Sequence, residues 1–178
     1  MTWLTDTYYL FVRPGHGLDR VVDRCHLGGA ALTVLVVGAI LGIQAAGALG
    51  LPLVAGVLLG LILAMAGWFV GGTIWYATTG IVGGDGLWRT VLTGLGWASV
   101  PLVLLPVTAT LGRWLGPTWG SVLSLAVITW MVVLTVRAVC RAAGLTTGQS
   151  LAALALVGLL FSLLPLSGGM LVLIGLAS

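Results

Sequence analysis

Charged residues are the scarcest feature of this sequence. Lysine and glutamate are absent, so the seven basic residues are all arginine and the four acidic residues are all aspartate. Only 6% of the 178 residues are charged, whereas soluble domains carry roughly a quarter. So few charges cannot keep a protein surface dissolved in water. The net charge of +3 is also too small to indicate a nucleic-acid partner.

Signatures of catalysis and of metal binding are missing as well. The sequence contains no Gly-x-Ser-x-Gly, no His-Glu-x-x-His and no phosphate-binding loop. His16, Cys25 and His26 supply only three possible zinc ligands, whereas a structural zinc site has four. The other cysteine, Cys140, is predicted at the same cytoplasmic membrane face as Cys25, where a disulfide framework is not expected. We therefore expect no enzyme activity, no cofactor and no metal.

Hydrophobic sequence, by contrast, is abundant. Hydrophobic residues make up 60% of the chain, and the mean hydropathy is +1.20. A transmembrane helix needs about 20 predominantly apolar residues, and glycine and proline divide the apolar runs. The predicted spans are about 27–47, 52–78, 90–112, 119–140 and a fifth that begins near Thr147. Thr146 and Gln149 have the spacing of a capping box at the start of that fifth helix.

The prediction is thus an all-α, polytopic membrane helix bundle with five transmembrane helices. Residues 1–26 form a cytoplasmic or interfacial segment, and residues 27–178 form a single transmembrane domain. The apolar run of the fifth span is too long for one crossing, and Pro165 is expected to break it. Whether the segment after Pro165 spans, tilts or re-enters the membrane stays open.

The arginines predict the orientation of the chain. With the N-terminus in the cytoplasm, only Arg113 falls outside, and six arginines fall on the cytoplasmic side: Arg13, Arg20, Arg24, Arg89, Arg137 and Arg141. Such an excess follows the positive-inside rule. An aromatic belt is predicted at the span ends from Trp75, Tyr76, Trp88, Trp114 and Trp119. We expect a multi-pass protein of the prokaryotic cell membrane.

The N-terminal segment contains an amphipathic pattern. Leu18, Val21, Val22 and Cys25 follow the i, i+3, i+4, i+7 spacing of one helix face, and charged residues occupy the other side. This pattern predicts a short helix that lies in the membrane interface. A short solvated helix is the alternative, although so short a helix is marginally stable alone in water.

Glycine is the strongest packing signal inside the predicted spans. The sequence contains three Gly-x-x-x-Gly pairs, which are Gly38/Gly42, Gly56/Gly60 and Gly67/Gly71. Such pairs let two helix backbones approach closely in lipid. The pattern is compatible with packing inside one chain and with a homo-oligomer face.

Two further features of the spans are open to two interpretations each. Pro101 and Pro106 remove backbone donors from the third span and predict a kink, which marks a hinge or cavity, or else fixed packing. Arg137 and Arg141 share one face near the end of the fourth span. They are candidates for binding lipid headgroups, either by simple snorkelling or as a binding pair for a lipid head or partner.

The stretch 84–101 contains a glycine-rich loop and a basic residue, followed by Gly96, Trp97, Ser99 and Pro101. This pattern resembles the third-span entry of the Yip family, the Ypt/Rab-interacting membrane proteins. The stretch 130–152 is similar to the fourth span and its turn into the fifth, and 11–14 looks like the family's cytoplasmic lead-in. The short, lysine-free chain resembles a prokaryotic member, for which no Rab partner is expected.

The resemblance implies a non-enzymatic membrane protein that acts as a scaffold or membrane organiser through helix–helix and lipid contacts. The alternative is a channel or small-solute transporter, because proline-interrupted and glycine-rich helices suit transport. A buried polar pathway lined by Gln44, Thr73 and Thr108 would favour transport, and a dry bundle would favour a scaffold. An intramembrane enzyme ranks last. The expected partners are membrane lipids and, in one interpretation, further copies of the chain.

Overall fold

The computed structural model describes residues 3–159, apart from the side chain of Phe11. The described residues form helices joined by short connections, and none of them lies in a β-strand. The helices are α1 (Trp3–Val12), α2 (Pro14–Asp23), α3 (Leu27–Leu49), α4 (Leu53–Ile81), α5 (Trp88–Ala98), a 3-10 helix (Val100–Leu104), α6 (Leu105–Leu115), α7 (Pro117–Ala143) and α8 (Thr147–Leu159).

Four helical stretches are long and apolar enough to cross a membrane. They are α3, α4, the stretch Trp88–Leu115 that combines α5, the 3-10 helix and α6, and α7. The shortest has 23 residues, about 35 Å at 1.5 Å per residue, which exceeds the hydrocarbon core of about 30 Å. The first four predicted spans are therefore confirmed to within a few residues. The chain is an all-helical membrane bundle.

Glycine ends two of these helices, as its position in the sequence suggests. Gly50 after α3 and Gly144 after α7 have φ of +65° and +66°, the left-handed conformation that glycine adopts without steric cost. Their backbone N–H groups donate to the carbonyls of Ala46 and Cys140. Each turn therefore reverses the chain and supplies a donor to one carbonyl of the last helical turn.

The predicted start of a helix near Thr147 is confirmed by its cap. The N–H of Gln149 donates to the hydroxyl of Thr146 at 3.3 Å, and Gln149 Oε1 accepts from the N–H of Thr146 at 3.0 Å. These two bonds form the reciprocal capping box. Helix α8 as described would rise about 20 Å, less than a full crossing. The expected break at Pro165 lies outside the described residues.

The prolines interrupt the third span as predicted. Instead of one α-helix, the chain passes through the 3-10 helix Val100–Leu104, which contains Pro101. The hydroxyl of Ser99 donates to the carbonyl of Gly96 at 2.7 Å, and the N–H of Leu102 donates to the carbonyl of Ser99 at 2.9 Å. Half of the most apolar window of this span is buried, more than in the other three spans. The interrupted helix is therefore the centre of the bundle.

The other three spans pack around this central span. Helices α3 and α4 form an antiparallel pair, α7 packs antiparallel to α6 of the central span, and α5 packs against α3, α4 and α7. The shared core contains Trp97, Leu92, Leu134 and Val139, each at most 2% exposed. Because α4 contacts α3 and α5 but is mostly exposed, it lies at the periphery of the bundle.

The N-terminal helix pair differs from the expectation. The predicted amphipathic helix exists as α2, and Leu18, Val21 and Val22 are buried. Their face packs on α5 and α7, however, because the ends of these two helices offer an apolar surface of the protein itself. The placement of Cys25 on that face is wrong, since Cys25 follows the end of α2 with φ of +49° and is exposed.

Helix α1 was not expected from the sequence. It buries Leu10 and presents Leu4, Tyr8 and Val12 outward at i, i+4, i+8 spacing, each more than half exposed. We call these three residues the α1 stripe. The sequence predicts an outward apolar face, suited to the membrane interface, on α2. The structure places such a face on α1.

Candidate functional site

One end of the bundle brings two connections and helix α2 together. The N–H of Asp85, in the α4–α5 loop, donates to the carbonyl of Ala143 at 3.2 Å, and Gln149 Nε2 donates to the carbonyl of Val82 at 3.1 Å. A Cβ on Gly86 would overlap the carbonyl oxygen of Ala142, so only glycine allows this approach. Helix α2 packs on the same end. These contacts tie the α4–α5 loop to the α7–α8 turn.

Six of the seven arginines belong to this end, which we call the arginine end. They follow α1, lie in or after α2, begin α5 and end α7: Arg13, Arg20, Arg24, Arg89, Arg137 and Arg141. Arg113 lies in the last turn of α6, at the opposite end. Because successive spans run in opposite directions, six arginines lie at one end of the bundle and Arg113 lies at the other, as the sequence predicts.

Arg141 is held by two aspartates of α2. Its Nη2 lies 3.0 Å from Asp23 Oδ2, and its Nε lies 3.8 Å from Asp19 Oδ1. The side chains of each pair are about half exposed, so water and salt weaken these ion pairs. Their structural consequence is to fasten α2 to the end of α7. Arg141 therefore already has partners within the chain.

Arg137 has different surroundings from Arg141. It lines a pocket of about 380 Å³ together with Gly15, Leu18, Asp19, Cys140, Arg141 and Thr147. Its Nη1 lies 3.5 Å from the position that a Cβ on Gly15 would take. Among residues 3–159 no carboxylate lies within ion-pair distance of Arg137. The carboxylate of Asp19 also lines the pocket, but it pairs with Arg141. Because the first turns of α2 and α8 border the pocket as well, the surroundings of Arg137 suit an anion.

Four of the six predicted packing glycines form one seam between α3 and α4. A Cβ on Gly38 would lie 2.8 Å from the carbonyl oxygen of Gly60, and one on Gly42 would lie 2.5 Å from that of Gly56. Backbone therefore contacts backbone along this glycine seam. For these four residues the structure shows packing within the chain, so they are not free to form an oligomer face.

The third glycine pair has a different environment. No described residue outside the helix has an atom within 4 Å of a Cβ placed on Gly67 or Gly71. Both glycines line a groove of about 300 Å³ that opens on the side of the bundle. Its walls come from α3, α4, α5, the 3-10 helix and α7: Val34, Val37, Leu41, Ala64, Gly67, Trp68, Gly71, Gly72, Trp75, Leu95, Ser99, Leu102, Met131 and Thr135. We call this cavity the α4 groove.

The sequence does not predict the α4 groove. It predicts that Trp75 belongs to the aromatic belt, because Trp75 lies near the end of the predicted span. Helix α4 extends to Ile81, however, so Trp75 lies inside the span, where it is buried and lines the groove. Trp114 and Trp119, beside the α6–α7 turn, are exposed as an aromatic belt requires. The small residues Ala64, Gly67 and Gly71, which share one helix face, were the available signal.

The residues of the motif shared with the Yip family lie in the core. Trp97 is fully buried, and a Cβ on Gly96 would lie 2.7 Å from the Cβ of Ala30. Pro101 is also buried, and Ser99 borders the α4 groove. The motif therefore builds the contact between α5 and α3 and positions one wall of the groove.

The polar residues that would favour transport do not share a cavity. Gln44 borders a pocket with Arg113 near the opposite end of the bundle. Thr73 is exposed on α4 and bonds to Phe69 and Trp88. The hydroxyl of Thr108 lies 2.8 Å from that of Ser124, between α6 and α7. In the part of the chain that the structure describes, these three residues form no common pathway.

Comparison with known proteins agrees with the architecture. A family model described as the Yip1 domain matches residues 8–168, most of the chain. The match includes the arginine end, the glycine seam and the α4 groove. Neither the curated proteins nor the solved structures give a match.

Proposed function

This chain belongs to the Yip1 domain family, and from that premise we propose that it is a non-enzymatic membrane organiser that binds lipids at its arginine end. The observation that carries the proposal is the contrast between two arginines one helical turn apart. Arg141 has two carboxylate partners within the chain. Arg137 lines a pocket, and no carboxylate of the described residues lies within ion-pair distance of its guanidinium. A phosphate of an anionic lipid headgroup is the partner that suits Arg137.

The proposed orientation follows from the distribution of arginine. With the arginine end in the cytoplasm, six arginines lie inside and only Arg113 lies outside, as the positive-inside rule requires. In this topology the N-terminus is cytoplasmic, the membrane is the cell membrane, and α8 begins the fifth span. The headgroups in contact with Arg137 are then those of the cytoplasmic leaflet, which carries a negative surface potential.

Helix α1 supports the same assignment of the arginine end to a lipid surface. Leu4, Tyr8 and Val12 face away from the bundle, and the guanidinium of Arg20 lies 5.3 Å from the ring centre of Tyr9. A helix with an apolar outer face and arginines beside it is typical of helices that lie in the membrane interface. We propose that the α1 stripe enters the acyl-chain boundary while the arginines remain among the headgroups.

Transport is the weaker alternative. The described bundle holds its polar side chains in separate local contacts, and the α4 groove is largely apolar. A channel would need polar groups along a continuous path. Flux assays separate the two functions. An organiser leaves proteoliposomes no more permeable to glycerol than protein-free liposomes, whereas a neutral-solute channel makes them swell faster in proportion to protein content.

Lipid titration with matched arginine variants tests the proposed function. The purified protein in mild detergent is titrated with phosphatidylglycerol, and bound lipid is counted by native mass spectrometry. We expect Arg137→Gln to weaken binding about fivefold, which corresponds to roughly 1 kcal/mol for a partly exposed ion pair. Arg113→Gln is the matched control and leaves the affinity unchanged. Equal affinity of the wild type and Arg137→Gln, or equal binding of phosphatidylcholine, contradicts the proposal.

A further inference from the structure

The α4 groove has a composition that selects one class of ligand. No charged residue lines it, and its two hydroxyl groups belong to Ser99 and Thr135. The Ser99 hydroxyl already donates to the carbonyl of Gly96, and Trp68 Nε1 already donates to the carbonyl of Leu92 at 2.9 Å. The polar atoms of these two side chains are therefore engaged within the protein. The hydroxyl of Thr135 and the indole N–H of Trp75 are the polar groups that remain in an otherwise apolar lining. A charged ligand would lose most of its hydration there for at most two hydrogen bonds.

The position of the groove within the spans restricts the ligand further. Its α4 residues lie between Ala64 and Trp75, well inside the span Leu53–Ile81. Residues at that position lie at the depth of the hydrocarbon core. The groove is not closed, so a molecule in the surrounding bilayer reaches it directly. Lipid acyl chains are the molecules available at that depth.

The shape of the groove suits an acyl chain. The groove holds about 300 Å³, room for a segment of one hydrocarbon chain. Such a chain is thin and flexible enough to follow the walls. A helix with its side chains is about 10–12 Å across, so most of its circumference would remain outside the groove.

We propose that the α4 groove is a binding site for one acyl chain of a membrane lipid. Gly67 and Gly71 make the site, because side chains at these positions would extend into space where no described residue outside α4 has an atom within 4 Å of their Cβ. Trp68 and Trp75 form part of the wall behind them, with broad apolar ring surfaces. The site is independent of Arg137 and of the proposed headgroup binding, because it recognises the chain and not the head.

Photolabelling in nanodiscs tests the site. The probe is phosphatidylcholine with a diazirine in the middle of one acyl chain, so that headgroup charge does not contribute. After irradiation, adducts are mapped by mass spectrometry. We expect the adducts to concentrate on residues that line the α4 groove, in excess over Leu58, Ile62 and Leu63, which are exposed on the same helix. An even distribution over α4 would overturn the proposal, since bulk lipid contact explains it.

Two variants make the test specific. The double variant Gly67→Leu with Gly71→Leu fills the groove, and we expect groove labelling to fall to the level of the exposed α4 residues. Gly80→Leu is the control, because it lies on the same helix with open space at its Cβ and outside the groove. Gly71→Ala, a smaller change, gives a partial loss of labelling if the double variant does not fold. Unchanged labelling in folded variants overturns the proposal.

Cross-linking identifies the other possible occupants. In a background with both native cysteines replaced by serine, Gly71→Cys is oxidised alone and together with single cysteines placed through residues 160–178. No disulfide is expected in either case. A disulfide dimer through Gly71→Cys would assign the groove to a second copy of the chain. A disulfide to a position in 160–178 would assign it to the chain's own C-terminal segment, and either result overturns the lipid site.

Discussion

The substitution Gly42→Ala probes the packing between α3 and α4 with a single methyl group. A Cβ at position 42 would lie 2.5 Å from the carbonyl oxygen of Gly56 and 3.0 Å from the Cα of Val57. Both neighbours are backbone atoms of α4, so neither moves away by a change of rotamer. Contact at an ordinary van der Waals distance of 3.4 Å or more requires the two helices to separate by almost 1 Å.

The expected destabilisation follows from the packing contacts that are lost when the two helices separate. Overpacking of a well-packed contact costs about 1–3 kcal/mol, and a gap of 0.5–1 Å forfeits a quarter to a half of each dispersion contact. Lipid chains solvate the separated helices as well as each other, so no hydrophobic term compensates for the lost packing. We expect Gly42→Ala to lower the free energy of unfolding by about 2 kcal/mol.

The matched control is Gly47→Ala on the same helix. Nothing lies within 4 Å of a Cβ at position 47, so the same methyl group meets open space. We expect a change within about 0.5 kcal/mol, or a slight gain because alanine favours helix over glycine. Both variants are unfolded reversibly by adding SDS to dodecylmaltoside micelles, with helicity followed by circular dichroism. Equal midpoints for the two variants would refute the close approach of α3 and α4.

Two further predictions concern the cap of α8 and the topology. Thr146→Ala removes the side-chain acceptor of the capping box and should lower the free energy of unfolding by about 1 kcal/mol in the same titration, whereas Thr147→Ala, which removes no observed bond, should leave it unchanged. In a background without native cysteines, an impermeant maleimide added to intact cells should label Leu51→Cys but not Leu87→Cys; the reverse pattern would invert the proposed orientation.

The spans were predictable because their signals are local. Glycine and proline end apolar runs for backbone reasons alone, so the ends of α3 and α7 at Gly50 and Gly144 follow from the sequence. The capping box at Thr146 and Gln149 depends on a separation of three residues and on nothing more distant. In each of these cases the residues that decide the structure are neighbours along the chain.

The functional surfaces were less predictable because they depend on which helices meet. The three Gly-x-x-x-Gly pairs have the same spacing, yet Gly38 and Gly60 contact each other across the α3–α4 seam while Gly71 lines an open groove. Spacing identifies a face of a helix but not its neighbour. The same limit applies to Arg137 and Arg141, which share a helix face although only Arg141 contacts the aspartates of α2.

The most direct test of the proposed function is an experimental structure of the purified protein in lipid nanodiscs, with the copurifying lipids identified by mass spectrometry. We expect a bundle without a continuous aqueous path, with an anionic headgroup against Arg137 and hydrocarbon density in the α4 groove. A continuous polar cavity from one end of the bundle to the other, with no lipid bound at the arginine end, would contradict the proposed organiser function and favour a solute transporter.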